Sequence, residues 1–127
     1  MWLASATTCS DLSVLAARAI RSSLIHLLPA TLPARVVLYR SLDRPNEKLV
    51  ELLLAARSAR TLGATHLTLV APYLAYMRQD IAFNPGEAVS QRIVGPFLAT
   101  LVDAVITVDP HLHRVATLQE VVPGADT

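Results

Sequence analysis

Three short runs in the sequence carry residue types that chemistry needs. The first is Tyr76-Met77-Arg78-Gln79-Asp80. It sets out a cation, an amide and a carboxylate in order, which offers charge for a phosphate and donors and acceptors for a nucleobase edge. The plainer reading is a solvated loop in which Arg78 and Asp80 pair with each other, an arrangement of small energetic worth. The second run is Asp109-Pro110-His111-Leu112-His113. In an extended chain Asp109, His111 and His113 face one way, and could hold a divalent ion or steady a phosphate. The plainer reading is two exposed loop histidines and a helix-capping aspartate. The third run, Asn84-Pro85-Gly86-Glu87, is either a flexible lip with Glu87 at a helix start or a turn followed by a favourable first-turn acid. His26 and His66 read as surface or capping residues. Cys9 reads as a small packed side chain, since no His or Asp is placed to activate it. Neither of the two commonest glycine-rich phosphate loops occurs.

These runs need elements to position them. Apolar residues at Leu12, Leu15, Ala16, Ala19, Ile20, Leu24, Leu27 and Leu28 have helical spacing, which predicts a helix over 11–28 with Ser10 or Asp11 as N-cap. Residues 35–40, rich in β-branched and aromatic types, predict a strand. A helix follows from Asp43 to about Leu62, with Pro45 in its first turn and Gly63 as its stop. Residues 66–71 predict a second strand, 72–86 a loop, and 87 to about 102 a helix that Gly95-Pro96 should kink or shorten. Residues 103–109 predict a third strand, and a short, partly helical tail closes the chain. Alternating strands and helices imply right-handed crossovers and an α/β fold, a three-layer parallel sheet with flanking helices. Ligands of such sheets sit at the carboxyl ends of the strands. Ser41-Leu42-Asp43, the loop from Pro72 to Asp80, and Asp109-Pro110-His111 all fall on that one rim.

Composition narrows the function classes. The chain has 127 residues, 53% apolar and 17% charged, which suits one domain with a substantial core and excludes intrinsic disorder. A formal net charge of +1 offers no electrostatic footprint for nucleic acid or an anionic membrane. No uncharged stretch is long enough for a membrane span, and the start of the chain lacks a basic signal-peptide region. The single cysteine excludes an internal disulfide framework and a multi-cysteine zinc site, and fits a reduced, cytoplasmic compartment. Lys48 is the only lysine, so no other residue is available for lysine chemistry.

Four runs taken together are more specific: Asp43 to Leu54 (DRPNEKLVELLL), Val70 to Asp80 (VAPYLAYMRQD), Phe83 to Ser90 (FNPGEAVS) and Ile106 to His111 (ITVDPH). In that order and spacing they resemble the N-terminal domain of ribose-phosphate pyrophosphokinases, in a divergent bacterial or archaeal-like branch, over about residues 35–122. The resemblance implies a type I phosphoribosyltransferase-like fold, usually with two such domains per chain. It also implies transfer of the diphosphoryl group of MgATP to the 1-hydroxyl of ribose 5-phosphate, in a cytoplasmic homo-oligomer. Arg78, Gln79 and Asp80 match the family's ATP-binding Arg-Gln-Asp. His111 matches the histidine beside the metal and the ATP phosphates, with Asp109 next to it on the Mg2+ side. The Asn46-Glu47-Lys48-Leu49 helix resembles one that packs in subunit contacts.

The departures are equally informative. Pro110 replaces the family's usual Leu, and His113 has no counterpart in the better-known branch. The Phe-Pro-Asp-Gly-Glu motif of the adenine pocket should precede residue 35 and does not occur there. The Thr-Gly-Gly-Thr loop for ribose 5-phosphate is absent, as is the later Lys/Arg catalytic loop. The expected organisation is an atypical N-terminal helix and linker over 1–34 and an N-terminal pyrophosphokinase-like domain over 35–127, with the second domain missing. This is the ATP-side half of an active site, inactive alone. The alternative is a non-catalytic nucleotide-binding or assembly module derived from the family.

Overall fold

The computed structural model describes residues 12–16, 30–108 and 110–127. The element order is β1 (Leu12–Ala16), β2 (Arg35–Tyr39), α1 (Pro45–Thr61), β3 (His66–Ala71), α2 (Ser90–Ala99), β4 (Ala104–Thr107) and α3 (Leu118–Val121). The strands form one four-stranded sheet in the order β1-β2-β3-β4, with every neighbouring pair parallel. The parallel α/β architecture is the one expected, with one strand more.

That extra strand corrects the reading of residues 11–28 as a helix. Leu12–Ala16 is extended and pairs with β2 along its whole length. Five residues of apolar and small side chains suit a strand as well as a helix turn, and tertiary pairing along the edge of β2 decides between them. The rest of the predicted helix, with His26, lies outside the described residues, as does Cys9.

Alternation along the strands builds the core. Val36 lies beside Leu67 and Leu38 beside Leu69, which in turn lies beside Val105, and all five are buried. Leu52, Ala56 and Ala59 of α1 and Leu98 of α2 join them in one cluster. Strands laid in chain order with right-handed crossovers carry successive helices over the same face. The other face carries Tyr39, Val70 and Ile106 in one row across three strands, and Tyr39 and Ile106 are exposed.

The helix ends follow from local chemistry. Pro45 and Glu47 occupy the first turn of α1 and Arg60 its last. Past that end, Ala64 N–H donates to the Ala59 carbonyl at 3.0 Å and Gly63 N–H to the Arg60 carbonyl at 3.2 Å. This pairing needs a left-handed residue between, and Gly63 supplies it with φ of 111°. Helix α2 runs from Ser90 to Ala99, shorter at both ends than expected. It starts late because Glu87 turns back into its own loop, accepting from Phe83 N–H (2.8 Å), Asn84 N–H (3.2 Å) and Asn84 Nδ2 (2.5 Å). These bonds, that from the Asn84 side chain foremost, hold the Glu87 carboxyl below its usual range. Gly95 and Pro96 both lie within α2. A Cβ on Gly95 would stand 1.8 Å from the Val121 carbonyl oxygen, so only glycine lets α2 and α3 meet there.

At the amino-terminal end of the sheet, Asp103 is a structural clamp. Its Oδ2 accepts from Leu67 N–H and from Arg60 Nη2, each at 2.6 Å, and His66 Nδ1 lies 3.9 Å away. The starts of β3 and β4 and the end of α1 are tied together at this end.

Candidate functional site

Three loops leave the carboxyl ends of β2, β3 and β4 side by side. Each contains one non-glycine residue with a left-handed backbone: Arg44 (φ 65°), Tyr76 (φ 64°) and His111 (φ 58°). Such residues cost energy and persist only where surrounding structure holds them, and they concentrate at functional sites. Among the described residues there is no other.

The β2 loop is braced against α1. Arg40 is buried and pairs with Glu51 of α1. Lys48 Nζ donates to Asp43 Oδ1 at 2.5 Å, and this bond, with a lesser one from Ser41, lowers the Asp43 pKa. Tyr76, in the β3 loop, donates its hydroxyl to Asn46 Oδ1 in the first turn of α1. The β2 and β3 loops are further joined where Leu42 N–H donates to the Tyr73 carbonyl at 2.9 Å.

The β3 loop is pinned by Leu74, Ala75 and Met77, all buried. Against that anchor the three expected site residues take different environments. Arg78 is exposed and makes no hydrogen bond or ion pair with any described residue. Gln79 is half-buried, and its Nε2 donates to the Ile81 carbonyl at 3.1 Å. Asp80 is 4% exposed. Its partner is Arg114 in the β4 loop, whose Nη1 donates to Oδ1 at 2.6 Å and to Oδ2 at 2.8 Å. The internal Arg78–Asp80 pair of the plainer reading therefore does not form. The Arg114 hydrogen bonds lower the Asp80 pKa against the opposing effect of burial, and the nearby His111 adds a smaller push in the same direction.

In the β4 loop, the left-handed His111 breaks the extended run on which Asp109, His111 and His113 would share one side. The rings of His111 and His113 nonetheless meet edge to face, 4.1 Å between centroids. Asp109 lies outside the described residues. Two contributors had no signal strong enough to be read from sequence: Arg114, one arginine among ten, and Gln91, buried in the first turn of α2.

On this rim Arg78 has no partner among the described residues, Arg114 is partly engaged by the buried Asp80 carboxylate, and the His111 imidazole lies near that carboxylate. That charge arrangement suits an anion with several phosphoryl oxygens.

The family described as the N-terminal domain of ribose phosphate pyrophosphokinase matches residues 13–101 of this chain. A ribose-phosphate pyrophosphokinase of Methanopyrus kandleri is 41% identical over 93 residues, covering 72% of this chain and 31% of the relative. One from Saccharolobus solfataricus is 44% identical over 78 residues, covering 60% of this chain and 27% of the relative. The crystal structure of phosphoribosylpyrophosphate synthetase from Mycobacterium smegmatis superposes with a TM-score of 0.59 at 26% identity, covering 72% of this chain and 30% of that one. The chain therefore spans about a third of the length of the relatives it matches.

Proposed function

Because the chain belongs to the ribose-phosphate pyrophosphokinase family, as its N-terminal domain, we propose that the strand-end rim is the ATP side of that family's active site. The observation that carries this reading is Arg78, an exposed cation unengaged by any described residue, beside Gln79 and Asp80, whose side chains are held. In the complete enzyme, the 1-hydroxyl of ribose 5-phosphate attacks the β-phosphorus of ATP. The bond to the α–β bridging oxygen breaks, and AMP leaves. Such a transfer depends mainly on positioning and charge neutralisation.

The roles divide as follows. Arg78 pairs with the polyphosphate. Gln79 has its amide nitrogen engaged, and its amide oxygen serves as acceptor for the adenine amino group. Asp80 orients the site through Arg114. His111, with Asp109, stands on the metal side. Among the described residues no three His, Cys, Asp or Glu side chains converge. Mg2+ keeps most of its waters and takes phosphate oxygens from its substrate, so an imidazole and a carboxylate are a sufficient protein contribution. Bound there, the ion would neutralise phosphate charge.

This rim supplies contacts for nucleotide, so these residues by themselves are expected to bind it without turnover. Self-association belongs to the same reading. Val50 and Leu54 stand exposed on the outer side of α1, an apolar stripe that a second copy would cover. The assignment to a cytoplasmic enzyme of nucleotide synthesis rests on the family. Among the described residues no helix is long and apolar enough to cross a membrane.

The test is a titration of the pure chain with MgATP, paired with an assay of AMP release. Weak binding and no release dependent on ribose 5-phosphate are expected. No heat at about millimolar nucleotide overturns the site, and clear turnover overturns the half-site reading.

A further inference from the structure

Arg114 and Asp80 form an unequal pair. The Asp80 side chain is 3% exposed and that of Arg114 is 51% exposed. A buried carboxylate has lost its water, and an ion pair at a surface returns little stability for that loss. As a stabilising contact the pair is a poor use of a buried acid. As a mount for an arginine it is effective. A guanidinium carries five N–H donors. Nη1 alone serves both carboxylate oxygens, and among the described residues Nη2 and Nε donate to nothing. Three donors on a half-exposed, orientationally fixed group therefore remain free. A side chain already held in place loses little rotamer freedom when it meets a ligand.

The location fixes what that ligand is. Arg114 lies three residues past the left-handed His111 and bonds the residue two positions after the unengaged Arg78. These groups sum to positive charge, with the one acid among them already satisfied. We propose that Arg114 binds the polyphosphate of a nucleoside di- or triphosphate, with Asp80 as its mount. The inference rests on the nucleotide reading of the rim. It adds a binding residue that comes from the β4 loop and not from the Arg78-Gln79-Asp80 run. It also gives Asp80 its function: the carboxylate meets the ligand only through the guanidinium.

The experiment titrates the full chain with inorganic tripolyphosphate, ATP and AMP, and compares it with Arg114→Ala and Arg114→Lys. Thermal melts serve as the folding control. Removing one charge-assisted phosphate contact should weaken tripolyphosphate and ATP by about ten-fold or more, with a clearly smaller effect on AMP. Arg114→Lys keeps the charge and loses the fork, so it should fall between parent and Arg114→Ala. It decides the matter if Arg114→Ala melts out. A folded Arg114 variant that binds tripolyphosphate like the parent overturns the inference and leaves the nucleotide site standing. Equal losses for AMP and tripolyphosphate also overturn it, because Arg114 would then only shape the loop. A parent chain that binds neither ATP nor tripolyphosphate overturns the nucleotide reading itself.

Discussion

Gln91 donates its side-chain amide to the Met77 carbonyl at 3.2 Å. Its backbone N–H donates to the Gln79 carbonyl, also at 3.2 Å. One buried residue at the start of α2 thus holds the backbone on both sides of Arg78, which fixes where that exposed side chain begins. Gln91→Leu keeps the volume and leaves the Met77 carbonyl without its side-chain donor. The expected loss is roughly 1–3 kcal/mol of stability, with weaker ATP binding in the folded fraction. Urea denaturation and calorimetry on the same sample check both. Unchanged ATP affinity would show that the β3 loop does not need this brace.

Gly95→Ala should destabilise by roughly 1–3 kcal/mol or more. The added methyl would stand 1.8 Å from the Val121 carbonyl oxygen, a backbone atom that cannot swing away. Gly86→Ala is the comparison. Its Cβ would meet nothing within 4 Å, so only its φ of 89° opposes the change. Equal denaturation midpoints for the two variants would contradict the close approach of α2 and α3.

Asp103 contributes to the acid limb of stability, alongside Asp43, Asp80 and Glu87, whose carboxyls are also held low. Burial pushes its pKa up, but the Leu67 N–H and the Arg60 guanidinium outweigh burial and hold it below the usual carboxylate range. A carboxylate whose folded pKa is depressed stabilises the fold fully above its unfolded pKa. That contribution is lost as pH falls through the folded value. Parent stability should therefore drop as pH is lowered past about 4. Asp103→Asn should be less stable at neutral pH and lose less on acidification. Parallel curves for the two proteins would contradict the clamp.

Self-association should depend on the outer stripe of α1. Val50→Glu combined with Leu54→Lys should leave the melting temperature nearly unchanged, since both side chains are exposed. It should also shift sedimentation toward monomer at about tens of micromolar. A parent chain already monomeric at that concentration removes this proposal.

Much of the fold was legible because its signals were local. Pro45 and Gly63 bracket α1, and the alternation in 35–39 and 66–71 is that of strands with one buried face. The misreadings have two causes, pairing with a distant strand in one case and capture by donors of the adjoining loop in the other. Leu12–Ala16 becomes a strand only because β2 offers it an edge. Glu87 leaves α2 because Phe83 and Asn84 offer three donors in the loop. At the site, Arg78 and His111 were visible as chemistry-bearing residues at strand ends. The partner of Asp80 was not, because Arg114 lies 34 residues away and no periodicity links the two.

If Arg78 is an open phosphate contact on a nucleotide rim, ATP titration of Arg78→Ala against the parent measures that contact. The exposed side chain makes no hydrogen bond or ion pair with any described residue, so the variant should melt like the parent. It should bind MgATP about ten-fold more weakly or worse. Equal affinity in two equally folded proteins would show that Arg78 does not meet the nucleotide.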